Sequence, residues 1–260
     1  MKGPLLPKLA LSCLLLTAAA ATKAQPVKVE ISQNDGGFVL KRDHKPYFIK
    51  GAGGTSYTDR LAKYGGNSIR TWSTYNGGEV LAKADSLGLT VTMGLDVARE
   101  RHGFNYDDTT AVHNQLERLR AEVIRYRNSP ALLMWGVGNE LNLDYKNPKV
   151  WNAVNDIAKM IHQEDPNHPV TTMLAGVNPL VVNAVISRCP DLDLLAVQVY
   201  GGLAKVPASH RGGARDPKST GQSRRLPVVF IRGRWQEQGR YRKYPLLCRK
   251  PPSTINPPKT

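Results

Sequence analysis

From residue 46 onward, short apolar runs alternate with longer segments whose apolar residues recur three and four positions apart. Period-free apolar runs of four to nine residues suit strands buried on both faces, and the longer period suits amphipathic helices. The pattern predicts strands over Pro46–Gly54, Gly66–Thr74, Leu89–Val97, Ala131–Glu140, Val170–Ala175 and Leu192–Tyr200. Between them it predicts helices over Thr58–Tyr64, Gly78–Leu87, Ala111–Arg127, Pro148–Glu164 and Pro179–Ile186. In Ala111–Arg127 the residues Val112, Leu116, Leu119, Val123 and Ile124 are expected on one buried face. Strands apolar on both sides need helices over them, so the expected class is α/β with a parallel sheet, either a barrel or a doubly wound open sheet. No Gly-x-Gly-x-x-Gly follows the first strand, and Gly51-Ala52-Gly53-Gly54 is only a glycine-rich turn, which disfavours a dinucleotide site.

Residues 25–45 precede this repeat and read as a β-hairpin, Val27–Ile31 and Gly37–Lys41, joined through Asn34-Asp35-Gly36-Gly37. The repeat ends near residue 204, after six βα units. Two more units of a (β/α)₈ barrel need roughly 50–60 residues. The segment 205–260 is long enough, but it is irregular and rich in Arg, Pro, Gly and Ser, and only Leu226–Ile231 reads as a strand. The charge divides at the same place. Residues 1–200 carry 22 Lys and Arg against 19 Asp and Glu, whereas residues 201–260 carry 14 against 2. The net charge of +15 therefore belongs almost wholly to the tail and is no argument for a nucleic-acid-binding body. The abrupt loss of acids and of periodicity suggests a reading frame displaced near residues 205–210.

The first 24 residues read as a signal peptide: Lys2 and Lys8, then apolar Leu9 to Ala21, then the small-residue site Thr22-Lys23-Ala24. A secreted or periplasmic protein is expected. No other segment is apolar enough to span a membrane. Cys13 would depart with the leader, leaving Cys189 and Cys248, which nothing in the sequence brings together.

The most informative motif is Trp135-Gly136-Val137-Gly138-Asn139-Glu140, which closes the fourth strand. In a (β/α)₈ barrel the carboxyl ends of the strands line the active site. A glutamate placed there, partly withdrawn from water, suits general-acid catalysis. Glycosidic cleavage needs such a group to protonate the leaving oxygen. Alone, the Gly-Asn-Glu triplet favours an ordinary helix-start glutamate stabilised by the helix dipole.

The chain around it resembles the clan of (β/α)₈ retaining glycoside hydrolases, most of all the family 2 catalytic barrel, with family 5 similar. The resemblance runs through GGFVLKRDHKPYFIKGAGG, GGNSIRTWST, LGLTVTMGLDVARERHGFNYDD, NSPALLMWGVGNELN and LDLLAVQVYGG. It implies Glu140 as acid/base and Asn139 as partner of the sugar 2-hydroxyl. It implies Arg70 as the arginine that orients the nucleophile and Tyr200 as a hydrogen-bond donor to it. Trp72 and Trp135 stand where rings stack on sugars or fill a core. Asp96, Glu100, Arg101, His102 and Tyr106 lie on the loop after the third strand; they are candidates for substrate contact, with a solvated charged loop the preferred expectation. The implied partner is a carbohydrate, with no cofactor and no metal; the histidines show no metal-ligand spacing.

The departure from the resembled pattern is the second carboxylate. In those families it is a glutamate ending strand seven, and here Arg232 follows Leu226–Ile231. Glu237 is the one glutamate after Glu164, and no strand leads to it. Three readings follow: a glycosidase by descent, a carbohydrate-binding remnant without turnover, and a nucleic-acid or anionic-surface binder acting through the Arg-rich tail, against which export and the absence of a recognised binding fold argue.

Overall fold

The computed structural model describes residues 25–34, 37–176 and 178–198, with the backbone of 214–215, 225–226 and 228–231. The residues expected to form a leader, Tyr200, Glu237 and Cys248 lie outside the described residues. The first three strands, β1 (Val29–Asn34), β2 (Gly37–Arg42) and β3 (Lys45–Pro46), form an antiparallel meander, so the expected hairpin gains a third strand.

The rest builds one parallel sheet from β4 (Gly51–Gly53), β5 (Ser68–Arg70), β6 (Thr90–Leu95), β7 (Leu132–Asn139), β8 (Val170–Ala175) and β9 (Leu194–Gln198), each hydrogen-bonded to the next. Helices α1 (Thr58–Lys63), α2 (Gly77–Ser86), α3 (Thr109–Tyr126), α4 (Lys149–Glu164) and α5 (Pro179–Arg188) connect them in turn. A short antiparallel pair, β10 (Ala214–Arg215) and β11 (Arg225–Leu226), forms a separate two-stranded sheet, and β12 (Val228–Ile231) lies parallel to β9 in the seventh place. This is an incomplete TIM barrel. The first two predicted strands are each shortened from nine residues to three, the first because Lys45 and Pro46 belong to the meander and only Gly51–Gly53 enters the barrel.

Local chemistry places the helix starts. The Asp108 side chain accepts from the Ala111 amide to open α3, and Asn178 accepts from the Leu180 amide before Pro179 to open α5. The core lies between sheet and helices and includes Val91, Leu95, Leu119, Val154, Ile157, Ile161, Leu174 and Val185. One helical face differs from expectation. Ile124 is exposed, and Gln115 is buried in its stead, its Oε1 accepting from the Ala98 amide at 2.7 Å. Val123 and Ile124 are adjacent in sequence, about 100° apart around a helix, so only one can face the sheet.

The meander closes the amino end of the sheet. Val29 and Ile49 pack with Leu133, Met134 and Leu194 in a small second core. The Val29 amide donates to the Asn167 carbonyl at 2.8 Å, and Arg42 Nη2 donates to that of Pro130 at 2.8 Å. The opposite, carboxyl end of the strands is left for chemistry.

Candidate active site

Three alternate strands supply the polar centre. In a (β/α)₈ barrel the inward side chains of one layer come from alternate strands. Here β5 ends on Arg70, β7 on Asn139 and β9 on Gln198, the second, fourth and sixth strands of the sheet. Their side chains close a triangle. Arg70 Nη2 donates to Asn139 Oδ1 at 2.6 Å, Arg70 Nη1 to Gln198 Oε1 at 3.1 Å, and Gln198 Nε2 to Asn139 Oδ1 at 2.9 Å. Arg70 and Gln198 are buried and Asn139 is half-buried. A guanidinium is cationic, so Arg70 brings a positive charge to this end of the strands. The resemblance places Arg70 beside a nucleophilic carboxylate; the described contacts place it on two neutral amides, which fix its plane.

Glu140 follows directly on β7 and is half-buried. Its backbone sits in the left-handed region at φ 54°, two residues after Gly138 at φ 72°. At this φ a side chain on Gly138 would be strained, and its Cβ would lie 2.6 Å from Leu141 Cδ1, so the turn favours glycine. The pairing of β7 with β8 shifts register between Gly136 and Asn139, and bulges of this kind re-aim side chains at strand ends. The Glu140 amide donates to the Met173 carbonyl at 2.8 Å, and Asn142 grips the Ala175 backbone through both its amide atoms, at 2.9 and 3.0 Å. A non-glycine residue held at such a φ stores roughly 1–3 kcal/mol, which persists only where neighbours over-determine it.

Of the two tryptophans, Trp72 is 45% exposed on the loop after β5, with the Arg70 guanidinium 5.4 Å from its ring centroid. Trp135 is fully buried and its indole Nε1 donates to Asp165 Oδ2 at 2.8 Å, so it is core and cannot meet a sugar. Tyr106 is buried too: its hydroxyl donates to the Ala98 carbonyl, and burial pushes its pKa up. Gln198 has no place in the sequence expectation; its one signal is a lone amide inside the apolar run Leu192–Tyr200. A cavity of about 220 Å³ lies instead between α3 and α4, lined by Val112, Leu116, Ala153 and Ile157 among others, in the helical layer. Among the described residues no group of three His, Cys, Asp or Glu is placed to hold a metal ion, and no helix is long and apolar enough to cross a membrane.

Residues 60–206 match the family model described as glycosyl hydrolases family 2, TIM barrel domain. No curated protein sequence matches the chain. Among solved structures, a β-D-glucuronidase of Dictyoglomus thermophilum aligns at 20% identity and a TM-score of 0.51, covering 68% of this chain and 33% of the other. The Bifidobacterium dentium β-glucuronidase complexed with coumarin-3-O-glucuronide aligns at 20% identity and 0.51, covering 68% and 30%. A β-glucuronidase of an uncultured Clostridium sp. aligns at 19% and 0.52, covering 71% and 34%. The chain thus spans about one third of the length of these structures, and the likeness is one of fold.

Proposed function

The chain belongs to glycosyl hydrolase family 2 through its TIM-barrel domain, and from that premise we propose that it derives from an exported retaining glycosidase with Glu140 as acid/base. The observation that carries the reading is the conjunction at one strand end: Glu140, left-handed and half-buried, stands next to Asn139, which Arg70 and Gln198 hold from the neighbouring alternate strands.

In this reading the Glu140 carboxyl donates its proton to the glycosidic oxygen as the bond to the anomeric carbon breaks. A carboxylate about 5 Å away captures that carbon, and Glu140 then takes a proton from the water that releases the sugar. Glu237 lies outside the described residues, so the second carboxylate has no assigned residue. Asn139 offers its amide N–H groups to a sugar hydroxyl, because its Oδ1 is occupied by Arg70 and Gln198. Trp72, exposed beside Arg70, offers a face on which a sugar ring can stack. Tyr200 is proposed as a donor to the nucleophile, on the resemblance alone. Residues 1–24 are proposed as the export leader and 205–260 as a tail out of frame.

The related structures are named as β-glucuronidases, so an aryl β-glucuronide heads the panel of aryl β-glycosides to be offered to the purified chain. Turnover that falls about 10²–10⁴-fold in Glu140→Gln supports the assignment. Undiminished turnover in that variant overturns it. Saturable glycan binding without turnover supports instead the carbohydrate-binding reading, which the missing strand-seven glutamate favours.

A further inference from the structure

The segment that carries Glu140 is gripped by a neighbour. The residues after β6 form a single 3₁₀ turn, Glu100–His102, and it docks onto the loop between β7 and α4. Arg101 Nη1 donates to the Glu140 carbonyl at 2.6 Å and reaches that of Leu143 at 3.4 Å. Arg99 Nε donates to the Asn139 carbonyl at 3.3 Å, and its Nη1 faces Asp96 Oδ1 at 3.4 Å. Glu100 Oε2 accepts from the backbone amides of Lys146 at 2.7 Å and Asn147 at 3.0 Å. The order Arg-Glu-Arg therefore meets carbonyls, amides and carbonyls of one facing loop. The charged side chains are spent on main-chain atoms, where charge-assisted hydrogen bonds are roughly twice as strong as neutral ones.

The contacts converge where the backbone is least able to hold itself. Glu140 stands at φ 54°, and Asp144 in the same loop at φ 57°. The Glu140 carbonyl accepts from the Leu143 amide at 3.2 Å, closing a tight turn that Arg101 covers from outside. A loop that holds two side-chain-bearing residues left-handed keeps them there only where its surroundings fix it.

We propose that Arg101, assisted by Arg99 and Glu100, is a positioning residue that fixes Glu140 in its left-handed conformation and so aims its carboxyl at the glycosidic oxygen without touching the sugar. This rests on the reading of Glu140 as acid/base.

The test compares Arg101→Met, Arg101→Lys and Glu100→Gln in the full chain. Proton donation in the bond-breaking step, which kcat/KM reports, matters most for a basic leaving group, so kcat/KM on phenyl glycosides depends on Glu140 and kcat/KM on 2,4-dinitrophenyl glycosides hardly does. In Arg101→Met kcat/KM on the phenyl glycoside should fall about tenfold or more relative to kcat/KM on the dinitrophenyl glycoside. Arg101→Lys should restore part of the difference and Glu100→Gln should show a smaller one. Equal loss on both substrates means a merely structural role and overturns the proposal. A second measurement needs no turnover: amide exchange at Glu140 and Leu143 should accelerate about tenfold in Arg101→Met, with exchange in β7 unchanged. Unchanged exchange at those two amides overturns the clamp. A parent chain that hydrolyses no glycoside sinks the enzymatic reading, and the exchange result then decides the clamp by itself.

Discussion

The two ends of the half-barrel bury polar side chains in opposite ways. At the amino end Asp165 accepts from the Trp135 indole and lies 2.8 Å from His168 Nδ1, while its other oxygen takes the Asn167 amide. Trp135, Asp165 and His168 are all essentially inaccessible. The meander covers that end, and the chain turns into β5 and β6 through glycines, Gly65 and Gly88, that adopt positive φ without strain. At the carboxyl end Arg70, Asn139 and Gln198 are just as tightly bonded, but Asn139 and Glu140 stay half-exposed. Left-handed, side-chain-bearing backbones occur in the meander at Asp43 and His44, in its exposed turn, and at the carboxyl end at Tyr57 after β4, Asn76 after β5, and Glu140 and Asp144 after β7. One end buries its polar groups completely, and the other keeps strained backbone beside polar side chains that reach solvent. Strain of this sort gathers where a fold does chemistry.

The largest expected effect breaks the amino end alone. Trp135→Ala should cost about 3–5 kcal/mol in urea unfolding, from lost burial and the cavity left behind. Asp165→Ala should cost about 2–4 kcal/mol, because the Trp135 indole N–H and the Asn167 amide lose their acceptor in a dry site. Neither change should alter the leaving-group dependence of whatever turnover remains. Should Asp165→Ala leave stability intact while shifting that dependence, the division between the two ends fails.

A smaller effect of opposite sign is expected across the sheet. Glu140→Gly removes a side chain from a left-handed position and should raise stability by about 0.5–1 kcal/mol while destroying acid catalysis. A measured loss of stability would show that Glu140 is not strained by its conformation.

These contrasts also show what a sequence can and cannot display. Strand order, the helical layer and Asn139–Glu140 are legible because each is written in contiguous residues: period, apolar run and motif. Gln198 escapes because a lone amide in an apolar run looks like the end of a strand, and its partners Arg70 and Asn139 are 128 and 59 residues distant. Arg101 escapes for a different reason: its partners are backbone carbonyls, which no residue type marks. Trp135 is undecided from sequence because core and sugar-stacking tryptophans share a pattern, and only the buried Asp165 acceptor separates them.

The smallest effect concerns pH. Asp193, with a hydrogen bond and its charge, and the Asp191 carbonyl raise the His162 pKa above its ordinary value of about 6.5. The raised value means that the folded state favours the protonated ring. That stabilisation is complete below about pH 6.5 and is lost as pH rises through the folded pKa. With the ring partly exposed the effect is small; His162→Gln should flatten this arm of the stability profile, and an unchanged profile would count against the pair.

The most direct measurement is azide rescue of Glu140→Gly on a 2,4-dinitrophenyl β-glycoside. An acid/base at this position predicts slow release of the sugar from a glycosyl intermediate, restored by azide, with a glycosyl azide product that keeps the β configuration. Turnover of phenyl glycosides at the parent rate by Glu140→Gly, with no azide product, would contradict the account.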